Sequence, residues 1–450
     1  MTLIGRFERD LSGLLEDLAE PQTPDYYEDL FWQTAHTSQR PAWTIPERWL
    51  PMLDIARQPV LPQMSWRPIV VLLLLVGALA TSLLLAAARP KLPPLIGPAG
   101  NGLVVMSRDG DIVTVDPRTG ATAVVVGGPE IDSDPVWSQD GTKLLFRRAA
   151  PDQSEADLLM IARANGTRVR QLTPEPMTGL TSAKVSSIFA PALRYALSPD
   201  GLTVAIVSTV NGIPALFIAD TDTGAISQLD IPAIPLGATF DPTGNRILFV
   251  GAQGFDGSYA GLYLIGSDGS NLRTLVEPQL DAQIWSKVYW SPDGTRIAYG
   301  RREPGWQLPV EERRPAPNQH DLRVHVIGAD GTDDHIVGHA DGAWWEAPTG
   351  WSPDGRTLLI ERSLQADAVG APFEAAIVEV DGQAPDVVPQ FTSAYDWFAV
   401  WSPDGTSILA TPGDSDGNGL QQQLWDARTG EARPAPWKAT SFPSWQRVAP

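Results

Sequence analysis

Histidine is the residue type in this sequence best suited to general acid–base chemistry or to binding a metal. Four histidines lie in one stretch of the chain, at His320, His325, His335 and His339. A channel metal held by such side chains would give a lyase or a hydrolase. The spacing of His335 and His339 puts two imidazoles on one side only in a helix, and the surrounding residues predict strands and turns. We therefore predict that the chain is not an enzyme, with a metal-dependent lyase or hydrolase as the alternative.

A second candidate metal site is the segment that reads D-S-D-G-N-G. Asp414, Asp416 and Asn418 would supply oxygen ligands at alternate positions, as in the first half of a calcium loop. A calcium loop carries a bidentate Glu at its twelfth position, where this chain has Trp425. A plain Asp/Gly-rich hairpin loop is therefore the favoured interpretation, Ca²⁺ is the alternative, and no other cofactor is predicted.

Composition excludes several other classes of chemistry. The chain has no cysteine, which excludes disulfides, thiol nucleophiles and cysteine-based zinc sites. Its net charge is −20, whereas binding to a phosphate backbone needs a basic face. We therefore predict no nucleic-acid partner.

A repeated segment with the pattern W-S-P-D-G dominates the chain beyond residue 102. Its copies begin at Trp137, Leu197, Phe240, Trp290, Trp351 and Trp401, and a truncated copy contains Trp445. Their separation of about 50 residues is typical of a four-stranded sheet with variable loops. Pro, Asp and Gly suit a tight turn, and the Trp before it is predicted to pack between neighbouring sheets as a structural anchor.

Each copy is accompanied by a second signature, two short strands around an Asp/Gly turn. One such pair, from Asp111, precedes the first W-S-P-D-G copy, and the strand of Trp445 lacks the strands that should follow it. Joined, the two ends complete one sheet. The sequence therefore predicts an all-β, seven-bladed β-propeller over 102–450, closed by the strand at 440–450. Gln139 in place of Pro, and the altered copy at 240–244, leave six or eight blades as alternatives.

Long connections gather aromatic and arginine side chains on one predicted face of the propeller. The ligand-binding candidates are Tyr259, Arg301, Arg302, Trp306, Trp344 and Trp345. Two consecutive indoles cannot both point inward in an extended segment, and arginine can hold a carboxylate or phosphate. The alternatives are a small core within the loop for the indoles and a solvated face for the arginines.

The W-S-P-D-G repeats resemble those of the TolB-like, Pro-Asp-type relatives of the Trp-Asp propellers, over about 350 residues. The resemblance implies an extracytoplasmic interaction domain. Propellers include binding modules, enzymes and scaffolds, so it implies no particular activity.

Residues 68–88 contain no charged side chain and are long enough, at about 1.5 Å per residue, to cross a bilayer as one helix. Trp66, Arg67, Arg89 and Lys91 flank them and suit the headgroup region. We predict a single transmembrane helix at 68–88 and a linker at 89–101. Flanking positive charges are balanced, so the orientation, with a cytoplasmic N-terminus, follows from the resemblance alone.

Residues 1–67 predict a small helical tail, because leucines and other apolar residues recur at helical spacing from Leu3 to Leu18. The tail and single span also resemble anti-sigma-type membrane sensors. We predict a single-pass membrane protein of the bacterial envelope, whose propeller binds a protein or ligand and signals through residues 1–67 to a partner such as a sigma factor. A passive envelope scaffold is the alternative.

Overall fold

Each repeat forms an antiparallel sheet of short strands, because β-branched and aromatic residues run between turns rich in Pro, Asp and Gly. The computed structural model contains seven such sheets in the part of the chain that it describes. The predicted all-β, seven-bladed propeller is therefore confirmed, and the alternatives of six or eight blades are wrong.

The structure describes only part of the chain. The described residues are 72, 94, 97–149, 156–172, 177–178, 195–210, 213–254, 259–279, 284–302, 322–338, 345–363, 373–382, 392–393, 398–411, 421–437 and 442–449. The chain divides into two units, Met1–Arg89 and Pro90–Pro450, and all strands of the described residues lie in the second. The predicted tail at 1–67 lies outside the described residues, as does the predicted span at 68–88 except for Leu72. Within the described ranges, no helix is both long and apolar enough to span a bilayer.

The first four blades comprise strands β1 to β16 together with the last strand of the chain, β29. Blade 1 contains β29 (Ser444–Val448), β1 (Gly100–Arg108), β2 (Asp111–Val115) and β3 (Thr122–Val126). Blade 2 contains β4 (Asp132–Trp137), β5 (Lys143–Ala149), β6 (Ala156–Arg163), β7 (Arg170–Gln171) and β8 (Met177–Thr178). Blade 3 contains β9 (Tyr195–Leu197), β10 (Thr203–Val210), β11 (Ile213–Asp220) and β12 (Ile226–Gln228). Blade 4 contains β13 (Ile234–Phe240), β14 (Arg246–Ala252), β15 (Gly261–Gly266) and β16 (Arg273–Val276).

The remaining three blades follow the same order from the first strand to the fourth. Blade 5 contains β17 (Ile284–Trp290), β18 (Arg296–Arg302), β19 (Leu322–Gly328) and β20 (His335–Val337). Blade 6 contains β21 (Trp345–Trp351), β22 (Thr357–Ser363), β23 (Phe373–Glu379) and β24 (Thr392–Ser393). Blade 7 contains β25 (Phe398–Trp401), β26 (Ser407–Thr411), β27 (Gln423–Asp426) and β28 (Ala432–Pro434).

Blade 1 joins the two ends of the described propeller. Strand β29 pairs antiparallel with β1, with Val104 opposite Trp445 and Gly100 opposite Val448. Backbone groups that would form an open edge are thereby paired within the blade, which closes the ring.

The hydrophobic core is divided among the interfaces between blades. Each of the seven buried clusters in the described residues combines side chains of two adjacent blades. Trp137 packs with Val105 of blade 1, and Trp351 packs with Val324 of blade 5. Trp290, Trp401 and Trp445 lie in the equivalent clusters of their own blades. A fully buried large apolar side chain contributes about 1.5–3 kcal/mol, so these clusters hold neighbouring blades together.

The W-S-P-D-G turn is held by its own side chains, as blade 5 shows. The Ser291 hydroxyl accepts a hydrogen bond from the Arg296 amide at 2.9 Å, and the Asp293 carboxylate accepts one from the Thr295 amide at 3.1 Å. The Ser291 hydroxyl also donates to the Asp293 carboxylate at 2.5 Å. Burial raises the pKa of Asp293, but the hydrogen bonds from Ser291 and Thr295 outweigh burial and leave the pKa below its usual value. Gly294 has φ of 70°, a left-handed conformation that favours glycine.

Strand order gives the disc two different faces. The W-S-P-D-G turns and the Asp/Gly turns join the first strand to the second and the third to the fourth, so both lie on one face, which we call the turn face. The other two connections of each blade lie on the opposite face, which we call the loop face. Blade 2 carries an extra short strand near the loop face, where Met177 pairs with Asp157.

Candidate functional site

Seven of the candidate site residues predicted from the sequence fall outside the described residues. These are Trp306, Trp344, Asp414, Asp416, Asn418, His320 and His339. The calcium alternative and the second half of the His335/His339 pair therefore remain sequence predictions.

Arg301 and Arg302 lie at the loop-face end of β18 and belong to different interfaces. Successive strand residues point to opposite sides of a sheet, so Arg301 faces blade 4 and Arg302 faces blade 6. The Arg301 guanidinium lies 3.5 Å from Asp334 and donates to the side-chain oxygen of Gln279 at 3.2 Å. Arg301 thus contacts Asp334 and Gln279 of the protein itself, and the two arginines do not converge on one binding site.

Tyr259 and Trp345 are the described aromatic candidates of the loop face. Tyr259 precedes β15 in blade 4, has φ of 55° and is 39% exposed. Trp345 is half-buried, is the first residue of β21 in blade 6 and pairs with Ser363. The two side chains belong to non-adjacent blades, and Tyr259 is the more exposed.

A polar network that sequence reasoning missed lies between blades 4 and 5. Asp334 accepts a hydrogen bond from the Tyr299 hydroxyl at 2.9 Å, and its other oxygen lies 3.0 Å from His325 Nδ1. Burial raises the pKa of the Asp334 carboxyl, but its bonds with His325 and Tyr299 outweigh burial and hold the pKa below its usual value. Burial, together with the Asp334 carboxylate, raises the pKa of Tyr299.

This network has the groups of an acid–base pair, and its histidine is buried. His325 is only 6% exposed, and its ring centre lies 5.3 Å from that of Tyr299. His335 is placed opposite Val326 in the ladder, so it lies on the other side of the sheet from His325. The bonds among Tyr299, His325 and Asp334 therefore lie within blade 5, and the described histidines do not converge.

A second polar network, at the loop face, links blades 2 and 3. Arg147 forms ion pairs with Asp134 and Asp157, and the Tyr195 hydroxyl donates to the Asp134 carbonyl at 3.2 Å. Burial lowers the pKa of Arg147, but the two carboxylates outweigh burial and raise it. The two ion pairs thus lie within blade 2, and the Tyr195 hydroxyl links blade 3 to them. Among the described residues, no group of three or more His, Cys, Asp or Glu side chains could hold a metal ion.

The turn face carries a cavity at the mouth of the central channel. Its volume is about 410 Å³, and its lining includes Trp290, Trp351, Trp401, Trp445 and Arg447. The Trp351 indole donates to the Tyr289 carbonyl at 3.1 Å. Four of the five anchor tryptophans thus also line the channel mouth, a second role that the repeat pattern alone does not indicate.

The segment that leads into β1 runs along the turn face, and we call its described residues, 94 and 97–101, the strap. Arg447 on the closing strand donates from Nη2 to the carbonyls of Pro94 at 2.8 Å and Gly97 at 2.5 Å. Burial lowers the pKa of Arg447. This cation therefore ties the strap to blade 1.

Blade 7 holds the other side of the strap. The Ala99 amide donates to the Pro403 carbonyl at 2.8 Å. The Asn101 amide group donates to the Asp404 carboxylate at 2.8 Å and accepts from the Asp404 backbone amide at 3.1 Å. Pro403 and Asp404 belong to a W-S-P-D-G turn, so the chain enters the propeller on the turn face.

Comparisons with known proteins find relatives by structure only. No protein-family model matches the chain, and no curated protein sequence matches it. Similar solved structures include TolB from Acinetobacter baumannii, with 13% identity over 79% of this chain and 68% of that one and a TM-score of 0.43. An oligogalacturonate lyase in complex with manganese has 13% identity over 75% of this chain and 84% of that one, with a TM-score of 0.49. A prolyl endopeptidase structure has 12% identity over 77% of this chain and 50% of that one, with a TM-score of 0.51.

These neighbours agree with the predicted resemblance to TolB-like propellers, and at such identities the likeness concerns the fold alone. The chain spans half the length of the prolyl endopeptidase.

Proposed function

We propose that this chain is a single-pass membrane protein whose propeller is an extracytoplasmic binding or sensory module. In this proposal residues 1–67 form a cytoplasmic tail that contacts a partner such as a sigma factor, and residues 68–88 span the membrane. The propeller itself performs no catalysis. Its ligand is a protein, a peptide or another component of the envelope.

The observation that carries the proposal is the position of the strap. Because the chain enters on the turn face, the loop face lies on the side of the propeller away from the entry point. The two longest connections between strands lie there, 303–321 between β18 and β19 and 179–194 between β8 and β9. Long loops on a rigid scaffold are a common place for recognition. An anchored propeller would thus present its variable face to ligands.

The charges of the described residues favour recognition over chemistry on this face. Arg147 and Arg301 are paired with carboxylates, and His325 is enclosed between blades. A catalytic nucleophile or base must be accessible to substrate, and these two networks of described residues contain no such exposed group. Neither a lyase nor a hydrolase is supported by a specific contact in the described part of the propeller.

The absence of cysteine allows one experiment to test location and binding together. Tyr259→Cys places a single thiol on the loop face, Glu431→Cys places one on the turn face, and Ser12→Cys places one in the tail. Intact cells that express each full-length variant are treated with a membrane-impermeant maleimide that carries a photo-crosslinker. We expect both propeller positions to be labelled, the tail position to be labelled only after lysis, and light to yield a crosslinked adduct only from Tyr259→Cys.

Two results would contradict the proposal separately. Labelling of the propeller only after lysis would exclude an extracytoplasmic location. Equal adducts from Tyr259→Cys and Glu431→Cys, or none from either, would exclude the loop face as the binding face.

A further inference from the structure

A guanidinium bridges neighbouring blades on the turn face, as Arg296 shows between blades 5 and 6. Its central carbon lies 5.1 Å from the ring centre of Trp351. One nitrogen donates to the Gly355 carbonyl at 2.9 Å, and another lies 2.7 Å from the Asp381 carboxylate. Arg296 therefore fills the space beside the tryptophan of the next blade, and Asp381 balances its charge.

Two other interfaces use the same position of the repeat. Arg246 of blade 4 lies 4.9 Å from the ring centre of Trp290 and donates to the Gly294 carbonyl at 3.1 Å. Lys143 of blade 2 forms an ion pair of 2.9 Å with Asp222 of blade 3. The pattern is a cation on the second strand of one blade that reaches the tryptophan or the Asp/Gly turn of the next.

At the interface between blades 7 and 1, the cation and the carboxylate of this bridge are both replaced by other residue types. Ser407 follows the tryptophan of its repeat by six residues, as Arg296 does, so a short hydroxyl side chain stands where the cation would be. The Asp/Gly turn of blade 3 reads D-T-D-T-G, and its third residue, Asp222, is the carboxylate that pairs with Lys143. The turn of blade 1 reads D-P-R-T-G, so its third residue is Arg118. The interface where the ring closes therefore lacks the internal cation and has the opposite charge on its rim.

This exchange leaves an open groove beside Trp445, which we call the seam groove. It has a volume of about 590 Å³, within the usual range of small-molecule sites. Trp445, Leu424 and Leu103 give it apolar walls, and Arg118 and Arg433 belong to its lining. The complete lining is Asn101, Gly102, Leu103, Asp116, Pro117, Arg118, Ser407, Leu424, Arg433, Trp445, Gln446 and Val448.

The polar groups of the seam groove are mostly donors. Its one carboxylate, Asp116, accepts from the Arg118 amide at 2.9 Å, and this bond is the main reason that the pKa of Asp116 lies below its usual value. Arg118 lies 3.6 Å from that carboxylate and is 87% exposed. Within the described ranges, neither the Arg433 guanidinium nor the Ser407 hydroxyl has a hydrogen bond or an ion pair. Two guanidinium groups against one carboxylate give the groove a local positive charge on a protein whose net charge is −20.

We propose that the seam groove binds a small organic carboxylate with an apolar body. The carboxylate would lie between Arg118 and Arg433, because guanidinium groups bind carboxylates through paired N–H donors. The apolar body would pack on Trp445 and Leu424, in the space that a guanidinium occupies between blades 5 and 6. A cationic ligand is disfavoured, because Arg118 stands where a carboxylate of the next blade balances the cation in the Lys143 and Arg296 bridges.

Benzoate is the probe for this site, with benzylammonium and inorganic phosphate as comparison ligands. Binding to the full-length protein is measured by ligand-observed NMR and by the shift in melting temperature. We expect benzoate to bind with a Kd on the order of 1 mM, and the two comparison ligands to bind at least tenfold more weakly. Arg118→Ala and Arg433→Ala should each weaken benzoate binding about tenfold, a loss typical of one charged hydrogen bond. Arg428→Ala is the matched control, since Arg428 holds in blade 7 the turn position that Arg118 holds in blade 1.

A filled-groove variant separates loss of the site from loss of the fold. Ser407→Arg combined with Arg118→Asp rebuilds the bridge seen between blades 5 and 6, so it should abolish benzoate binding while raising the melting temperature. Benzoate binding that survives in this double variant would overturn the proposal. If phosphate bound as tightly as benzoate, the apolar part of the ligand would not contribute to binding. If benzoate affinity were unchanged in both arginine variants, the arginines would not bind the carboxylate.

Discussion

At the scale of single residues, the surroundings of the repeated tryptophan depend on the side chain that faces it from the preceding blade. Trp290 and Trp351 are each covered by an arginine, whereas Trp445 faces the short Ser407 across the seam groove. The same indole thus packs against a guanidinium in blades 5 and 6 and forms a wall of the seam groove in blade 1. At the sixth position after the tryptophan, Arg246 and Arg296 reach the next indole, whereas Ser407 leaves the side of Trp445 open to the seam groove.

Arg296→Ala tests the contribution of one such bridge. The substitution removes hydrogen bonds of a charged group to Gly355 and Asp381 and the contact with the Trp351 ring. We expect the free energy of unfolding to fall by about 2–3 kcal/mol, since a charged hydrogen bond contributes about 1.5–3 kcal/mol and a cation–π contact about 0.5–1 kcal/mol. Chemical denaturation of the full-length protein would measure the change.

Arg356→Ala is the matched control for this bridge, because Arg356 lies in an equivalent turn of blade 6 with an exposed side chain. Its effect should stay within about 0.5 kcal/mol. Arg296→Lys keeps the charge but loses the planar fork, so we expect an intermediate loss. Similar stabilities for Arg296→Ala and Arg356→Ala would show that the bridge does not stabilise the propeller.

The sequence predicts the hydrogen bonds within a turn better than the side-chain pairs between blades. Ser291, Asp293 and Gly294 act within one turn, so their bonds follow from local spacing. Arg296 and Asp381 are 85 residues apart, and Asn101 and Asp404 are 303 apart. Such pairs depend on how blades are stacked, which a local pattern does not contain.

At the scale of elements, the strap differs from a free linker. It contributes the Ala99 amide to blade 7 and two carbonyls to Arg447 of blade 1. The sequence predicted a Pro/Gly linker over 89–101 from composition, which indicates missing regular structure but not the carbonyls that a distant arginine binds.

Arg447→Ala tests whether this cation holds the strap. Loss of the guanidinium frees the carbonyls of Pro94 and Gly97, so we expect faster hydrogen exchange of the amides at 97–101. Exchange in β14 of blade 4, on a distant part of the ring, should not change. Mass spectrometry of peptides from the full-length protein resolves the two regions.

Arg428→Ala serves here as the control for removing an arginine from the turn face. If Arg447→Ala left exchange at 97–101 unchanged, the contacts of Ala99 and Asn101 with blade 7 would be sufficient to hold the strap. If exchange rose everywhere, the arginine would stabilise the ring as a whole and the strap would have no separate role.

At the scale of the whole molecule, the ring is closed by two incomplete copies of the repeat. This arrangement was predictable, because the chain has three strands without a first strand near residue 111 and a first strand without successors at Trp445. The fifth strand of blade 2 was not predictable, because Met177–Thr178 is too short for a periodic signal. The interface that completes the ring also contains the seam groove, where Ser407 and Arg118 stand in place of the bridging cation and its carboxylate.

A disulfide across the closure tests the whole ring, and the cysteine-free chain makes the experiment clean. Gly100 pairs with Val448, and a Cβ at Gly100 would lie 3.1 Å from a methyl group of Val448, so Gly100→Cys with Val448→Cys places two thiols face to face. Oxidation should form the bond readily and stabilise the full-length protein by up to about 5 kcal/mol, because it links strands from opposite ends of the propeller and restricts the unfolded chain. The same variant in its reduced form is the reference, which cancels the crowding of the new Cβ against the Ala449 carbonyl at 2.9 Å. A closed ring requires a higher melting temperature in the oxidised form. Two thiols that stay free under oxidising conditions would mean that β29 and β1 are not neighbours, and the ring would then have an open edge.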